Sequence, residues 1–413
     1  MSRLVVLHAA DLHLDAPFEG IGRTPAHVAA ALRDASLGAW DGLVDCALAR
    51  QVAAVLLAGG LCDGLKHGVR GQAHLRDGLR RLAAADIPVF IALGAHDPLD
   101  GFAAIPAWPP GVTVFPAGTP STVPLHRDGR HVATVHGISA RRERSEPGVP
   151  RFLRGDAPGP HLAVLNAGVA GHSAEPAGST RYRVADLRDA GMDYWALGDA
   201  PALDYLATGT PWIVYPGTPQ GRGCSAAQRG PKGIVLVELE GDAVARVDFE
   251  PVDRVRCVEV ELSDAADFDG LARLLHARAE ALRELHPGRG LLLEARVDGA
   301  PAVTRALRQP AARAALLHAV RRTAAAWEPF VWWVGVQAAP PCEAAAAGDD
   351  LAAEIARCRA ALAADPAQCA RFLARRLEPL RDAWTADVDP REAGELLDEA
   401  AVVAADALHE DRE

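Results

Sequence analysis

The chain has 413 residues, which is too long for one ordinary hydrophobic core, so we expect two or three domains. Its content of 49% hydrophobic and 23% charged residues is typical of a soluble globular protein. No stretch of roughly 18 apolar residues is free of charge, so we predict that nothing spans a membrane. The first residues run directly into an apolar segment, and no targeting pattern precedes it.

The formal net charge of −11 is unevenly distributed. Residues 343–413 carry 17 acidic and 8 basic side chains, a net charge of −9, which leaves −2 for the preceding residues. An acidic tail favours a solvated or protein-binding segment and disfavours nucleic-acid binding there. The seven cysteines are scattered and never form Cys-x-x-Cys. This pattern predicts reduced thiols in a cytoplasmic protein, and it argues against a disulfide framework and against a zinc finger.

The segment Leu4–Asp15 organises the N-terminal part of the chain. Its first four residues form an unbroken apolar run, which predicts a strand buried on both faces. Asp11 and His13 follow two positions apart, so in extended chain their side chains point the same way. A carboxylate and an imidazole at a strand end favour a divalent metal site. Taken alone, the pattern favours a turn-capping Asp11 and a surface His13.

Two further apolar runs alternate with segments of helical periodicity, which predicts a largely parallel sheet. Each of the first three strands ends in Gly, Asp or His. In such sheets, ligands lie at the carboxyl ends of the strands. The predicted helices and strands are Pro25–Arg50, Val52–Ala58, Gln72–Ala84 and Ile87–Leu93.

Later apolar runs extend this domain, and several of them also end in polar turns. We therefore predict an α/β fold over residues 1–252, a two-layer sandwich of mixed sheets flanked by helices. The predicted strands are His131–Val135, Leu162–Leu165, Tyr194–Leu197 and Trp212–Tyr215, followed by a hairpin of Gly233–Leu239 and Ala243–Phe249.

Residues 253–338 form a second predicted unit with β-α-β-α-β order, in which the first helix is expected around Phe268–Leu285. Because adjacent side chains on a strand face opposite sides, at least one of Trp332 and Trp333 is expected in the core. Residues 339–413 are predicted to be a Pro/Ala-rich linker and a helical acidic tail. One predicted tail helix carries an apolar stripe. Two interpretations are open for this stripe: it packs on the rest of the chain, or it binds a partner protein. The stripe includes Phe372, Leu377, Leu380 and Trp384.

Six short segments, DLH, AGGLCDG, LGAHDP, VLNAGV, YWALGD and YPGTPQGR, occur in this order along the chain. In order and spacing they resemble the motifs of calcineurin-like metallophosphoesterases over roughly residues 1–340. Within that superfamily the chain resembles the SbcD-type DNA-repair exonucleases, and among these the bacterial YhaO-like branch. The resemblance implies a metallophosphoesterase domain, a smaller α/β capping domain that helps to select DNA, and a region that holds an SbcC-type ATPase.

The resemblance also implies two metal ions about 3.5–4 Å apart, which clamp a phosphodiester and activate water. Asp11 and His13 match two of the seven ligand positions, and both belong to the same ion. Gly60 stands where the family has the carboxylate that bridges the ions, and glycine offers no side chain to screen their repulsion. Five ligand positions of the family are substituted in this chain: Gly60, Ala95, Asn166, Asp199 and Pro201.

Two features leave room for residual chemistry. His96 resembles the family's transition-state histidine, although a loop histidine held by its neighbours is an equal alternative. Asp11, His13, Asn166 and Asp199 would offer one oxygen-rich site for a single weakly bound ion, with Mn²⁺ the expected metal. The other expectation is that no metal binds.

Three hypotheses follow from the sequence. The first is a catalytically impaired or inactive family member that acts as a DNA- or ATPase-binding subunit. The second is an active Mn-dependent nuclease or phosphodiesterase with a rebuilt site. The third is a structural or regulatory protein whose tail carries the function. Loss of five ligands favours the first hypothesis over the second, and the sequence leaves open whether the protein forms a homodimer.

Overall fold

The computed structural model describes residues 3–62, 69–95, 97, 105, 107–140, 152–171, 182–263 and 265–339. The chain divides into two compact units. The first contains Met1–Glu259, Ala279–Glu294 and Ala324–Val334, and the second contains the other described residues. The domain limits 1–252, 253–338 and 339–413 are drawn differently and stay a prediction. Phe372, Leu377, Leu380 and Trp384 of the predicted tail lie outside the described residues.

The first sheet has six strands in the order β12-β11-β1-β2-β3-β4. Strands β1 to β4 are parallel, and the antiparallel hairpin β11-β12 pairs with β1. The alternating strands and helices of the N-terminal part therefore form the parallel arrangement that was predicted. The strands are β1 Leu4–Ala9, β2 Ala54–Ala58, β3 Val89–Ala92, β4 Val112–Val114, β11 Gly233–Glu240 and β12 Ala243–Pro251.

The second sheet also has six strands, in the order β5-β6-β7-β8-β10-β9. Its central strands β6, β7, β8 and β10 are parallel, whereas β5 and β9 pair antiparallel at the edges. The strands are β5 Ser121–Arg127, β6 Arg130–Ile138, β7 His161–Asn166, β8 Tyr194–Gly198, β9 Asp204–Ala207 and β10 Trp212–Tyr215.

The two sheets pack face to face around a shared apolar core, in which Leu56 and Phe90 of the first sheet join Val135 and Leu162 of the second. Helices α1 Ala26–Ala49 and α2 Val69–Ala84 cover the outer face of the first sheet, and α3 Val184–Asp189 covers the second. The predicted class, a two-layer mixed sandwich flanked by helices, is confirmed for this part of the chain.

Residues 255–338, which contribute to both units, contain a three-stranded sheet with the order β13-β14-β15. Trp333 is buried in it, which confirms that one of the two adjacent tryptophans is core. The elements are β13 Val255–Ser263, α4 Phe268–Leu285, β14 Gly290–Asp298, α5 Pro301–Arg308, α6 Pro310–Thr323 and β15 Val331–Ala338.

A disulfide joins Cys224 to Cys257, so the prediction that all thiols are reduced is wrong for this pair. The two cysteines are 33 residues apart and meet through the tertiary structure, which a search for closely spaced pairs does not detect. Among the described residues, Cys46 and Cys62 take no part in a disulfide. In the part of the chain that the structure describes, no helix is long and apolar enough to cross a membrane.

Candidate functional site

A polar cleft of about 200 Å³ lies where strands of both sheets end. The carboxyl ends of β1 and β2 supply one side of it, and those of β7 and β8 supply the other. The structure thus brings most of the predicted positions together. Ala95 is exposed and does not line the cleft, where its neighbour Gly94 lies instead, and His96 is outside the described residues. The predicted positions that line it are Asp11, His13, Gly60, Asn166, Asp199 and Pro201.

The backbone turns sharply at these strand ends. Asp11, His13 and Asp199 adopt positive φ angles of 51°, 41° and 101°, which are uncommon for residues with a side chain. The loop after β1 is fixed to the loop after β2, because Asp11 N–H donates to Gly59 O at 2.8 Å and His13 N–H donates to Gly60 O at 2.7 Å. Uncommon backbone angles held by hydrogen bonds are frequent at functional sites.

The Asp11 carboxylate links the two sheets. It is 7% exposed, and its Oδ2 accepts a hydrogen bond from Asp199 N–H at 2.9 Å. Burial raises the pKa of Asp11 to about 6, an effect that the charge of His13 and the Asp199 N–H oppose. One of its two oxygens is therefore already engaged by protein.

Gly60 leaves no room for the bridging carboxylate of the two-ion centre. A Cβ atom on this residue would lie 2.6 Å from Asp11 Oδ1 and 2.7 Å from Asp11 Cα. Gly60 also has a φ of +64°, in the left-handed region that favours glycine. The space that the bridging side chain would need is thus occupied by Asp11 itself.

Asn166 acts as a cross-sheet link in the floor of the cleft. Its Nδ2 donates to Ala58 O at 2.9 Å, which joins the end of β7 to the end of β2. Three glycines make room for it: a Cβ on Gly59, Gly94 or Gly198 would lie 2.5, 2.6 or 2.8 Å from the nearest atom of the Asn166 side chain. This amide is packed and bonded as a structural contact, and its Oδ1 is the atom left to offer a ligand.

The cleft does not fit two metal ions. Within the described residues, no group of three or more His, Cys, Asp or Glu side chains is placed to hold a metal. The bridging position is filled, the Ala95 side chain offers no ligand atom, and Asn166 offers only its Oδ1. Whether Asp11 and His13 hold a single ion stays a prediction.

Residues 216–230, which follow β10, form a further wall of the cleft, here called the cleft wall. It contributes three polar side chains, Thr218, Arg222 and Gln228. None of these was singled out from the sequence, although the segment YPGTPQGR contains two of them. The position of Arg222 just after a Gly-rich turn was the available signal, because such turns present side chains at strand ends.

Two face-to-face mixed sheets with outer helices and a polar cleft at the strand ends are consistent with a metallophosphoesterase fold. The chain is similar to uncharacterized metallophosphoesterase YhaO of Bacillus subtilis strain 168, with 29% identity over 288 residues, 69% of each chain. A solved dimetal phosphatase from Danio rerio aligns with 59% of this chain and 98% of its own, at 11% identity. Its TM-score of 0.36 is too low to establish a shared fold. No protein-family model matches the sequence.

Restoring the bridging carboxylate by Gly60→Asp is expected to destabilise the protein without creating a tight metal site. The added side chain overlaps Asp11, and forced overlap typically costs about 1–3 kcal/mol on top of about 1–2 kcal/mol for left-handed backbone. Urea unfolding and calorimetric titration with MnCl₂ measure the two effects.

Gly20→Asp is the matched control for this substitution. Gly20 has a φ of +71° and nothing within 4 Å of an added Cβ, so the variant reports the backbone cost alone. Equal stability losses in the two variants, or micromolar Mn²⁺ binding by Gly60→Asp, would show that Asp11 moves aside.

Proposed function

We propose that this chain is a metallophosphoesterase homologue of the SbcD/YhaO type that binds DNA phosphodiesters without hydrolysing them by a two-metal mechanism. The observation that carries the proposal is the overlap between the Gly60 side-chain position and Asp11. Two dications need a shared anionic ligand, and the cleft has no space for one at that position.

Arg222 supports a binding role for the cleft. A guanidinium is permanently charged and matches the geometry of phosphate oxygens, so it can bind phosphate where a metal is absent. It lines the same cleft as Asn166, whose Nδ2 carries a second hydrogen besides the one donated to Ala58 O. The Thr218 hydroxyl is engaged by the backbone, since it donates to Gln220 O at 2.9 Å. The carboxylates of Asp11 and Asp199 limit the affinity for an anion, which favours a ligand with contacts beyond the cleft, such as a DNA strand.

We also propose that the protein acts together with a partner that supplies chemistry or energy. An SbcC-like coiled-coil ATPase is the partner we propose, and the acidic segment 343–413 is its proposed docking region, in a cytoplasmic complex.

The purified protein is expected to show no Mn-dependent cleavage of linear duplex DNA. Loss of a single electrostatic stabiliser costs roughly a hundred- to a thousand-fold in rate, and loss of a whole ion should cost more. The measurement compares wild type with the Asp11→Ala/His13→Ala double variant at millimolar Mn²⁺. In parallel, fluorescence anisotropy follows binding of a fluorescein-labelled duplex of the same sequence.

The double variant separates true activity from a contaminating nuclease. Cleavage by wild type that disappears in the double variant would establish a rebuilt active site and overturn the proposal. Failure of wild type to bind the labelled duplex at low salt would overturn its DNA-binding part, because phosphate contacts are strongest there.

A further inference from the structure

The cleft wall is held to the strand β13 at four places, one of which is a backbone hydrogen bond from Gly230 N–H to Cys257 O at 3.0 Å. On its N-terminal side, the buried Gln220 accepts hydrogen bonds through Oε1 from Arg254 N–H at 2.8 Å and Val255 N–H at 3.2 Å, and it donates through Nε2 to Val255 O at 2.6 Å. On its C-terminal side, Arg229 forms ion pairs with Glu259 at 2.6 Å and Glu294 at 2.7 Å. Between these two anchors, the covalent attachment is the Cys224–Cys257 disulfide.

The disulfide is close in sequence to two residues that line the cleft, Arg222 and Gln228. Cys224 is two residues from Arg222 and four from Gln228. Arg222 also has backbone contacts, since its N–H donates to Gln228 Oε1 at 3.1 Å and its carbonyl accepts from Glu19 N–H at 2.7 Å. The backbone of Arg222 therefore belongs to a short loop that a sulfur–sulfur bond closes near its middle.

We propose that the Cys224–Cys257 disulfide is a redox switch for the cleft: the oxidised form holds Arg222 and Gln228 in place, and reduction releases them. This inference rests on the proposed phosphodiester-binding function of the same cleft. It adds the means by which that function is regulated.

The exposure of the two sulfurs sets the order of the chemistry. Cys224 is partly exposed whereas Cys257 is 4% exposed, so an incoming thiolate attacks the Cys224 sulfur. Cys257 leaves as a thiolate and takes up a proton, and a mixed disulfide forms at Cys224. The second thiol of a dithiol reductant then attacks the reductant sulfur of that mixed disulfide. The Cys224 sulfur leaves as a thiolate and is protonated. In total the protein gains two electrons and two protons, and the reductant becomes a cyclic disulfide.

Reduction is expected to loosen the cleft wall locally. The anchors at Gln220 and Arg229 do not involve sulfur and persist, so residues 221–228 gain freedom while the two sheets stay folded. In the reduced protein, Arg222 and Gln228 would have to become ordered when the phosphodiester binds. Because ordering each side chain costs free energy, the affinity is expected to fall.

The test is hydrogen exchange, followed by mass spectrometry, on the full-length protein with and without dithiothreitol. Amides of residues 221–228 are expected to exchange about tenfold faster after reduction, with strands β1, β7 and β8 unchanged. Affinity for the fluorescein-labelled duplex is expected to fall about fivefold on reduction.

Two variants serve as controls for the disulfide. Cys224→Ser should show the behaviour of the reduced protein both with and without dithiothreitol. Cys46→Ser, which removes a free thiol on α1, should respond to dithiothreitol as wild type does.

The outcomes separate the switch from the proposed function. Equal exchange of residues 221–228 in the two redox states would overturn the switch, and so would faster exchange with unchanged DNA affinity. Absence of DNA binding in both states would overturn the proposed function, and the exchange data alone would then decide whether the disulfide controls the cleft wall.

Discussion

Replacing Asp97 with alanine is expected to lower the free energy of unfolding by about 4 kcal/mol, because three buried N–H groups lose their acceptor. Asp97 is 1% exposed. Its Oδ2 accepts from Leu61 N–H at 2.9 Å and Gly94 N–H at 3.4 Å, and its Oδ1 accepts from Cys62 N–H at 2.9 Å. These bonds join the loop after β2 to the loop after β3. Each orphaned donor costs about 1–3 kcal/mol, partly offset because a desolvated carboxylate is also removed.

Urea unfolding at pH 7 measures this loss, and two variants calibrate it. Asp97→Asn keeps one acceptor oxygen, so its loss is expected to be about half as large. Asp156→Ala removes an exposed carboxylate and is expected to change the free energy of unfolding by less than about 0.5 kcal/mol. If Asp97→Ala were as stable as Asp156→Ala, the two loops would not depend on this carboxylate.

Buried strands and long helices were the predictable part of the fold. Strand β10 was predicted with the bounds it has, Trp212–Tyr215, and helix α4 likewise, Phe268–Leu285. Both carry a pattern that burial enforces: a continuous apolar run for a strand covered on two faces, and an apolar stripe for a helix covered on one. Where burial dictates side-chain type, the sequence shows the element directly.

The elements that were missed are short or lie at edges. Strand β5, Ser121–Arg127, is an edge strand with one fully buried residue, Leu125, and a proline at position 124. Proline is tolerated there because an edge strand has an unpaired side, yet in a sequence it argues against a strand. Helix α5, Pro301–Arg308, is 8 residues long and was not predicted. Elements with little burial leave little pattern.

Convergence of the site was predictable, whereas its internal bonding was not. The resemblance to the metallophosphoesterases implied one site for Asp11 and Asn166, although the two residues lie at or beyond the ends of strands of different sheets, β1 and β7. The prediction treated Gly60 as a missing ligand only. The structure shows that the vacated space holds Asp11, and that Asn166 fastens the two sheets through Ala58. The Asn166–Ala58 contact joins residues 108 positions apart and depends on the distance between two sheets, which no local pattern encodes.

Two buried histidines make the stability of the fold sensitive to acid. His8 on β1 joins the sheets, because its Nε2 donates to Leu197 O at 3.2 Å and its Nδ1 lies 2.9 Å from the Tyr194 hydroxyl. His136 on β6 contacts His161, with 2.8 Å between His136 Nε2 and His161 Nδ1. Burial lowers the pKa of His8 from 6.5 to about 3, and burial together with the charge of His161 lowers that of His136 to about 4.

The sign of the effect follows from proton linkage. The unfolded chain binds protons at these histidines below pH 6.5, whereas the folded protein does not until about pH 4 for His136 and about pH 3 for His8. The contribution of the two neutral histidines to the free energy of unfolding is therefore fully present above pH 6.5. It is lost as the pH falls from 6.5 towards the pKa values of the folded protein. At pH 5 each histidine accounts for a loss of about 2 kcal/mol. Asp11, whose pKa is raised to about 6, opposes this by about 1 kcal/mol. Burial also raises the pKa of Asp97, which acts in the same direction as Asp11, so about 3 kcal/mol is the upper limit of the expected net loss.

His8→Gln tests this account, because glutamine fills similar space and does not titrate. Urea unfolding of wild type at pH 7 and pH 5 should show a net loss of up to about 3 kcal/mol, and the variant should lose about 2 kcal/mol less over the same interval. His318→Gln, at an exposed position on α6, should keep the pH dependence of wild type. Comparing the change between two pH values removes any constant cost of the substitution. Identical losses in wild type and His8→Gln would mean that His8 is protonated in the folded protein, and that water reaches the core between the two sheets.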